Sequence, residues 1–536
     1  MTTYTDIDQA LANKDTAQAL DLSDAYYKQF DARILELRQL KTLNLGEVAY
    51  ETLPQDFAQL QQLEQLTLAL ASFKSWPQAI MQLPRLHTLN LEDSGAGELH
   101  TLPDNTPFLQ QLQCLQIQYN GINQLPHNME VLTELKVLDL TSNELQQLPN
   151  SLPPNLTTLS LQDNPITRLP PTLAQLTQLQ NLFLGSTRLE ALPHSLGQLQ
   201  QLREVGLQWL QGPAKDQFPE WLCQLPHLEK LQLADNNFGQ LPPNFGQWPK
   251  MISLVLSDNP IGQLPEAFGG MTALNNCFMA RCQLSRLPNS ISQCTQLAAL
   301  DLQQNQLNTL PVSLEQWQHL KELNISHNRF QELPTAFGQL KQLQRLNMKH
   351  NKVYHLRPSF GGLSSLQHLD ASHNQLVMVS PQFAELANLH TANLSHNLLD
   401  SFHGNIFESK SLKTLDLSNN QIELLHPNIN HLQSLTRLYL ANNPLRQLPN
   451  GIAEMQHLRQ LNIANTQLES LEDAFEKLSH IKTLGSLYIG HRLTYLPPQL
   501  KLLTNLKELV VRHNSFDAAM QQQIINMVPE GCYVYF

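Results

Sequence analysis

A pattern of apolar residues that recurs about every 23 positions runs through most of this 536-residue chain. In the segment Leu320–Gln342, counted from Leu320 as position 0, apolar residues occupy positions 0, 3, 5, 10, 13, 17 and 20, asparagine occupies position 8 and proline position 14. A unit this short cannot bury its apolar face alone, so neighbouring units must stack into one elongated array. Position 0 falls at 22 residues: Ala17, Leu40, Leu63, Leu86, Leu112, Leu135, Leu156, Leu179, Leu202, Leu228, Met251, Leu274, Leu297, Leu320, Leu343, Leu366, Leu389, Leu412, Leu435, Leu458, Leu484 and Leu506.

Each repeat predicts one strand followed by one turn. Positions 2 to 6 alternate polar and apolar residues, as in a short strand of a parallel sheet. Leu-Pro at positions 13 and 14 interrupts hydrogen bonding, and the following x-x-F/I-x-x-L run indicates a short helical or 3-10 turn. Asparagine at position 8, present in 13 repeats, supplies a buried amide for backbone groups where the chain leaves the strand. Because strands pack closer together than such turns, we expect a curved solenoid with the sheet on its concave face.

The spacing L-x-x-L-x-L-x-x-N-x-L resembles that of the leucine-rich repeat family, from about Ala17 to Phe536. Leu-Pro at positions 13 and 14 and Gly-Gln-Leu at positions 18 to 20 resemble the 23-residue intracellular type, found in Ras-suppressor and Scribble-like scaffolds and in many bacterial proteins. The resemblance implies an α/β solenoid with a parallel sheet on the concave face and short helical or 3-10 turns on the convex face. It also implies protein binding on the concave face, but no shared chemistry.

The two ends of the chain depart from the repeat and predict caps. Residues 1–39 combine a short helix, expected at Asp6–Leu11, with a degenerate first repeat. Residues 40–516 form the regular array. Residues 517–536 lose the period, and predict a helix at Asp517–Met527 and a final strand at Cys532–Phe536. A terminal repeat lacks a neighbour on its outer side, so we expect these segments to cover the ends of the array.

The charge balance argues against nucleic acids and anionic membranes as partners. The chain has 34 Lys and Arg against 46 Asp and Glu, a net charge of −12, and so offers no basic field to phosphates. The N-terminus lacks the basic and apolar regions of a secretory signal, and the longest apolar-rich run, Leu66–Phe73, is too short to cross a bilayer. Six cysteines without C-x-x-C pairs favour reduced thiols. We therefore expect a cytoplasmic protein that does not insert into membranes.

The sequence contains no motif that supports catalysis. No phosphate-binding G-x-x-x-x-G-K-[ST] loop, G-x-S-x-G nucleophile elbow or H-E-x-x-H metal helix occurs. We therefore expect a non-enzymatic scaffold without a cofactor, which binds a protein or peptide. Two alternatives remain: a regulatory or effector subunit of a separate enzyme, and an extracellular recognition receptor.

Aromatic and other apolar residues in the middle of the array predict a partner-binding patch. Positions 4 and 7 lie on the sheet face and are not needed for the core. Exposed aromatic residues and arginine are the types enriched at interface hot spots. The candidate residues are Tyr119, Phe183, Trp209, Val255, Phe278 and Arg281. The alternative is that Trp209 packs within its own irregular insertion and the others cover neighbouring strands.

Position 7 also changes in charge along the chain. Its early members are often acidic: Asp24, Glu47, Asp93, Asp163, Asp235 and Asp258. Four consecutive repeats then carry histidine there: His327, His350, His373 and His396. Such a column, with neighbours about 5 Å apart, predicts either a transition-metal site or a pH-dependent surface. The alternative is a duplicated Ser-His-Asn turn, because the repeats of Leu343–Ser434 also share the loss of Leu-Pro, with proline at position 15 in three of them.

Overall fold

The computed structural model of this protein describes residues 2–24, 30–46, 51–70, 73, 76–93, 100–102, 110–400, 408–490 and 493–536. Glu47, one of the acidic residues at position 7, lies outside these ranges. The chain divides into two compact units, Met1–Pro260 and Ile261–Phe536. Each unit is described by itself.

The first unit contains one short parallel strand per repeat. Its strands are Thr3–Tyr4, Ala19–Asp21, Thr42–Asn44, Gln65–Thr67, Thr88–Asn90, Cys114–Gln116, Val137–Asp139, Thr158–Ser160, Asn181–Phe183, Glu204–Gly206, Lys230–Gln232 and Ser253–Val255. Its helices are the α-helix Ile7–Ala12 and the 3-10 turns Ala32–Glu36, Gln55–Gln59, Gln78–Gln82, Met129–Val131, Pro171–Gln175, His194–Gln198, Pro213–Asp216 and Glu220–Gln224. Each strand pairs in parallel with the strand of the next repeat within the unit.

The second unit repeats the same design. Its main strands are Asn276–Phe278, Ala299–Asp301, Glu322–Asn324, Arg345–Asn347, His368–Asp370, Thr391–Asn393, Thr414–Asp416, Arg437–Tyr439, Gln460–Asn462, Ser486–Tyr488, Glu508–Val510 and Tyr533–Tyr535. Its helices are the α-helices Leu471–Leu478 and Ala518–Met527 and the 3-10 turns Glu266–Gly270, Asn289–Gln293, Leu314–Gln316, Thr335–Gln339, Pro358–Gly362, Pro381–Glu385, Pro427–His431, Asn450–Glu454 and Pro498–Leu502. The prediction of an α/β solenoid with a parallel sheet and short helical or 3-10 turns is confirmed.

The side chains at positions 3 and 5 of each repeat point into the core, and the turn covers the other side of the core. In the repeat that begins at Leu320, both Leu323 and Ile325 are buried, as is Phe337 in the turn. Pro334 at position 14 directly precedes this turn, with a φ of −63° and a ψ of 152°. Because proline fixes φ and has no N–H, it ends backbone pairing and starts the turn.

Two of the repeats that lack Leu-Pro form a second, small sheet. His355–Leu356 pairs in parallel with Met378–Val379, at positions 12 and 13 of two consecutive repeats. Their prolines, Pro358 and Pro381, are instead the first residues of the next 3-10 turns. The residue at position 14 is therefore not proline and keeps the backbone N–H that hydrogen bonding between strands requires. Gly404, the residue at position 15 of the fourth such repeat, lies outside the described residues.

The buried asparagine at position 8 joins consecutive repeats. The Asn328 Oδ1 accepts a hydrogen bond from the backbone N–H of Leu307 at 2.9 Å. Its Nδ2 donates to the carbonyl of Leu302, also in the preceding repeat, at 2.8 Å and to that of Ile325 at 3.1 Å. The same three bonds recur at Asn143, Asn164, Asn259, Asn305, Asn351, Asn374, Asn397, Asn420 and Asn443. One amide thus satisfies buried backbone groups of two repeats.

Other residues at position 8 replace this asparagine only in part. The Thr187 hydroxyl donates to the Leu184 carbonyl at 2.7 Å, and the Thr466 hydroxyl donates to the Ile463 carbonyl at 2.8 Å. Both bonds stay within one repeat. These side chains close the local turn but do not reproduce the asparagine bridge to the preceding repeat.

The ends of the chain carry the predicted elements, with small changes. The first helix is Ile7–Ala12 rather than Asp6–Leu11, because Asp6 is its N-cap and accepts a hydrogen bond from Gln9 N–H. The last helix, Ala518–Met527, begins after Asp517, which caps it in the same way. All six cysteines lie in the described ranges, and none of them forms a disulfide there. No helix in those ranges is long and apolar enough to cross a membrane.

We predict that Asn328→Ala lowers the free energy of unfolding by about 1–3 kcal/mol, because it leaves the buried Leu307 N–H without its partner. The Leu302 carbonyl loses one of its two donors and keeps Asn305 Nδ2. Urea denaturation measures the change. The control is Gln375→Ala at an exposed position of the same unit, which should change stability by less than about 0.5 kcal/mol. An equally small loss for Asn328→Ala would contradict the bridging role.

Candidate binding surface

Position 7 has a left-handed backbone in every repeat of the array where the structure describes it. From Leu70 to Asn465, φ at this position lies between +48° and +62° in every repeat, and it is +62° at His513. Among non-glycine residues, Asn, Asp and His tolerate this conformation best. The acidic, histidine and asparagine residues at position 7 therefore satisfy a backbone requirement first. Their charge is a second property of the same column.

Two aromatic residues occupy this column against that preference. Tyr119 and Trp209, in the first unit, have φ values of +59° and +57° and are 52% and 55% exposed. A bulky side chain in left-handed backbone costs about 1–2 kcal/mol. The exposure of Trp209 does not favour the alternative that it packs within its own insertion, where the buried tryptophan is Trp221.

The other members of the predicted patch are less prominent, and they fall in both units. In the first unit, Phe183 and Val255 are half-buried. The Phe183 ring lies over Gly206, where an added Cβ would be only 2.9 Å from Phe183 Cδ1. Phe183 therefore covers the neighbouring strand, as the alternative predicts. In the second unit, Phe278 is 36% exposed and Arg281 donates from Nη1 to Gln304 Oε1 at 3.2 Å.

The four histidines of position 7 form a continuous stack in the second unit. Ring centroids are 4.2 Å apart for His327 and His350, 4.1 Å for His350 and His373, and 4.0 Å for His373 and His396, with interplanar angles of 22°, 12° and 11°. The predicted column is confirmed. Parallel rings direct their nitrogen lone pairs side by side rather than towards one point, which does not favour a shared metal ion. Accordingly, the described residues contain no group of three or more His, Cys, Asp or Glu that could hold one.

The stack makes protonation of its members less favourable. The pKa values of His327, His350 and His373 all lie below the ordinary 6.5, chiefly because of burial. Neighbouring imidazoles and the Lys349 ammonium lower these pKa values further, whereas Asp370 opposes the shift at His350 and His373. The pH-dependent surface stays a prediction, and it has this electrostatic basis.

A groove of about 520 Å³ crosses five strands of the second unit on the sheet face. Its central row is position 4 of each strand: Asp301, Asn324, Asn347, Asp370 and Asn393. Phe278 closes one end, and position 2 contributes Glu322, Arg345 and His368 along one side. The Arg345 guanidinium lies 3.7 Å from the Glu322 carboxylate. The groove thus combines amides, carboxylates and one exposed aromatic ring.

The central row is held in a fixed orientation by backbone hydrogen bonds. In each case Oδ1 accepts from the N–H two residues further on, at 3.0 to 3.2 Å: Asp301 from Gln303, Asn324 from Ser326, Asn347 from Lys349, Asp370 from Ser372 and Asn393 from Ser395. This is the Asx turn. Because Oδ1 is hydrogen-bonded to the backbone, the other polar atom of each side chain, Nδ2 or Oδ2, points away from the backbone.

The sequence alone does not predict this groove. Its depth depends on side chains from six repeats, including that of Phe278, which no single repeat reveals. The sequence does carry one signal for part of the groove. An Asx-x-Ser motif at Asn324–Ser326, Asp370–Ser372 and Asn393–Ser395 indicates Asx turns at the strand ends. Burial raises the pKa of Asp301, against the opposing effects of the Gln303 N–H and the nearby Arg281 guanidinium.

We predict that replacing His327, His350, His373 and His396 together by asparagine reduces the acid sensitivity of folding. Three of these histidines have lowered pKa values in the fold, so the unfolded chain binds more protons as pH falls through about 6.5. Stability is therefore fully present above that pH and is lost below it. Asparagine suits the backbone, because it occupies position 7 in the next three repeats.

The measurement is the urea midpoint between pH 7.5 and 5.5. The variant should lose less stability over this range than the wild type. His194→Asn, at an exposed histidine outside the stack, is the control and should leave the wild-type slope. Identical slopes for all three proteins would contradict the electrostatic interpretation.

Comparisons with known proteins agree with this architecture. A family model described as leucine rich repeat matches residues 295–353, 318–376, 387–445 and 433–485, a model of two leucine rich repeat copies matches 154–204, and a single-repeat model matches 227–248. No curated protein sequence matches the chain.

Solved structures share the fold at low sequence identity. The plant peptide hormone receptor RGFR1, in complex with RGF2, is 24% identical over 97% of this chain and 86% of that chain, with a TM-score of 0.70. A TDR receptor is 22% identical over 95% and 91%, with a TM-score of 0.67. The TLR13–ssRNA13 complex is 22% identical over 98% and 79%, with a TM-score of 0.54. The family matches and the repeated strand-and-turn units identify this chain as a leucine-rich repeat protein.

Proposed function

We propose that this chain is a non-enzymatic protein-binding scaffold that presents its sheet face and the adjoining position 7 column to a protein or peptide. The observation that carries the proposal is the pair Tyr119 and Trp209. Both rings are more than half exposed, and both stand on backbone that favours small polar residues. Residues kept in a costly conformation at an exposed place are candidates for function.

The physical basis is preorganisation. Aromatic side chains have few rotatable bonds and supply large contact areas, which is why tyrosine and tryptophan are enriched at hot spots. Here they project from a turn that the buried asparagine bridges hold in place, so little ordering is needed on binding. In the second unit, Phe278 and Arg281 extend the proposal. Phe183 and Val255 contribute covered apolar surface rather than protruding anchors.

We further propose that residues 1–39 and 517–536 cap the array of residues 40–516. The helix Ile7–Ala12 and the final strand Tyr533–Tyr535 support this division, because both add structure beyond the regular repeats. We also propose the intracellular, 23-residue type and a cytoplasmic location. The 23-residue offset between most paired strands favours the repeat type, and the absence of disulfides among the six described cysteines favours the location. Thiol titration under denaturing conditions tests the location against an extracellular receptor, which would contain disulfides.

We predict that Tyr119→Asn combined with Trp209→Asn stabilises the fold while weakening partner binding. Asparagine relieves the left-handed strain, for an expected gain of about 1 kcal/mol per site, whereas loss of two aromatic anchors should reduce affinity by at least about tenfold. Urea denaturation measures the first effect. Selection from a random library of 12-residue peptides displayed on phage, followed by titration of the enriched peptides, measures the second.

Ser142→Asn is the matched control, because it introduces the same residue at the same position of an intervening repeat without removing a ring. The Ser142→Asn variant should bind the enriched peptides with the affinity of the wild type. Two results would count against the proposal: unchanged affinity in the aromatic double variant, or a loss of stability that shows the rings to be structural.

A further inference from the structure

The groove of the second unit offers a fixed order of hydrogen-bonding atoms. With Oδ1 held by the backbone, the free atoms along the row are Oδ2 of Asp301, Nδ2 of Asn324, Nδ2 of Asn347, Oδ2 of Asp370 and Nδ2 of Asn393. Within the described ranges, no protein group accepts a hydrogen bond from these three Nδ2 atoms. The row therefore presents donors between two carboxylates. A ligand that fits it must carry acceptors flanked by cationic or donor groups.

The charge of the groove points to a basic ligand. Of its three carboxylates, Glu322 is paired with Arg345, whereas Asp301 and Asp370 form no ion pair within the described part of the chain, although the nearby Arg281 guanidinium offsets part of the charge of Asp301. Phe278 lies directly beside Asp301 on the neighbouring strand, where the two are paired residues. An ammonium or guanidinium group at Asp301 would also contact an aromatic face, which adds cation–π attraction.

The spacing of the two carboxylates fits an extended polypeptide. Asp301 and Asp370 lie three strands apart in register, which corresponds to about 14 Å at roughly 4.8 Å per strand. In an extended chain, residues i and i+4 are about 13–14 Å apart and point to the same side. Residues i and i+3 are closer and point to opposite sides. The spacing therefore selects basic residues at i and i+4.

We propose that this groove binds an extended basic segment of a partner polypeptide, with Lys or Arg at positions i and i+4 held by Asp301 and Asp370. The main-chain carbonyls between them accept hydrogen bonds from Asn324 and Asn347, and Phe278 packs against the first basic side chain. This site lies wholly in the second unit. It does not depend on the aromatic pair of the first unit.

The test uses the full chain and two acetylated, amidated nine-residue peptides of identical composition. STKVTVKTS carries lysine at i and i+4, and STKVTKVTS carries it at i and i+3. Calorimetric titration should show binding of the first peptide about tenfold tighter than the second, because only the first places both ammonium groups at carboxylates. Equal affinities, or no binding of either peptide, would overturn the proposal.

Asp301→Asn and Asp370→Asn identify the contacts. Asparagine keeps the Oδ1 bond to the backbone, as it does at Asn324 and Asn347, so the fold should be unaffected. Each variant should weaken the binding of STKVTVKTS about tenfold and remove the preference between the peptides. The matched control is Asp416→Asn, which changes the same position with the same backbone bond but lies outside the groove.

The control should stay within about twofold of the wild type. A loss in Asp416→Asn equal to that in the groove variants would show general attraction of cations and overturn the site. The variant with Tyr119→Asn and Trp209→Asn should bind STKVTVKTS normally. The experiments can therefore distinguish a failure of the groove proposal from a failure of the proposed function of the aromatic pair.

Discussion

The asparagine at position 8 is the interaction on which the rest of the repeat depends. A parallel strand that ends inside a packed array leaves backbone groups without partners, and burying them costs about 1–3 kcal/mol each. Asn328 satisfies the carbonyls of Leu302 and Ile325 and the N–H of Leu307 with one side chain. To point inward at position 8, the chain turns sharply just before it. His327, at position 7, accordingly has a φ of +54°.

Both candidate surfaces arise from this turn. Residues at position 7 project from its left-handed corner, which places Trp209 in solvent in the first unit and the histidine stack beside the sheet in the second. Residues at position 4 cap the strand that leads into the corner, which fixes Asp370 through the Ser372 N–H. The scaffold therefore determines where side chains are presented. The residue types at positions 4 and 7 determine what can bind there.

The sequence predicts the strands and turns because each depends on spacing within one repeat. It predicts the histidine stack for the same reason, since position 7 recurs in register. The sequence does not tell whether a residue at position 7 is there for its charge or for its left-handed backbone, because Asp235 and His350 both have a positive φ. At Leu471–Leu478 the expected short helical or 3-10 turn is an α-helix; its signal is Ser470, whose side chain accepts a hydrogen bond from Asp473 N–H. The groove cannot be predicted from the sequence, because its shape depends on side chains of six strands together.

The histidine stack and the groove are linked through Asp370. Its carboxylate favours protonation of His350 and His373, so protons on these rings and a lysine at the groove compete for the same negative charge. Acid should therefore weaken a basic ligand even though lysine stays fully charged between pH 7.5 and 5.5. Titrations of STKVTVKTS at both pH values, in the wild type and in the variant with four asparagines, separate this linkage from a general effect of acid. The affinity of the wild type should fall with pH, and the variant should show a smaller fall; equal falls would mean that the stack and the groove act independently.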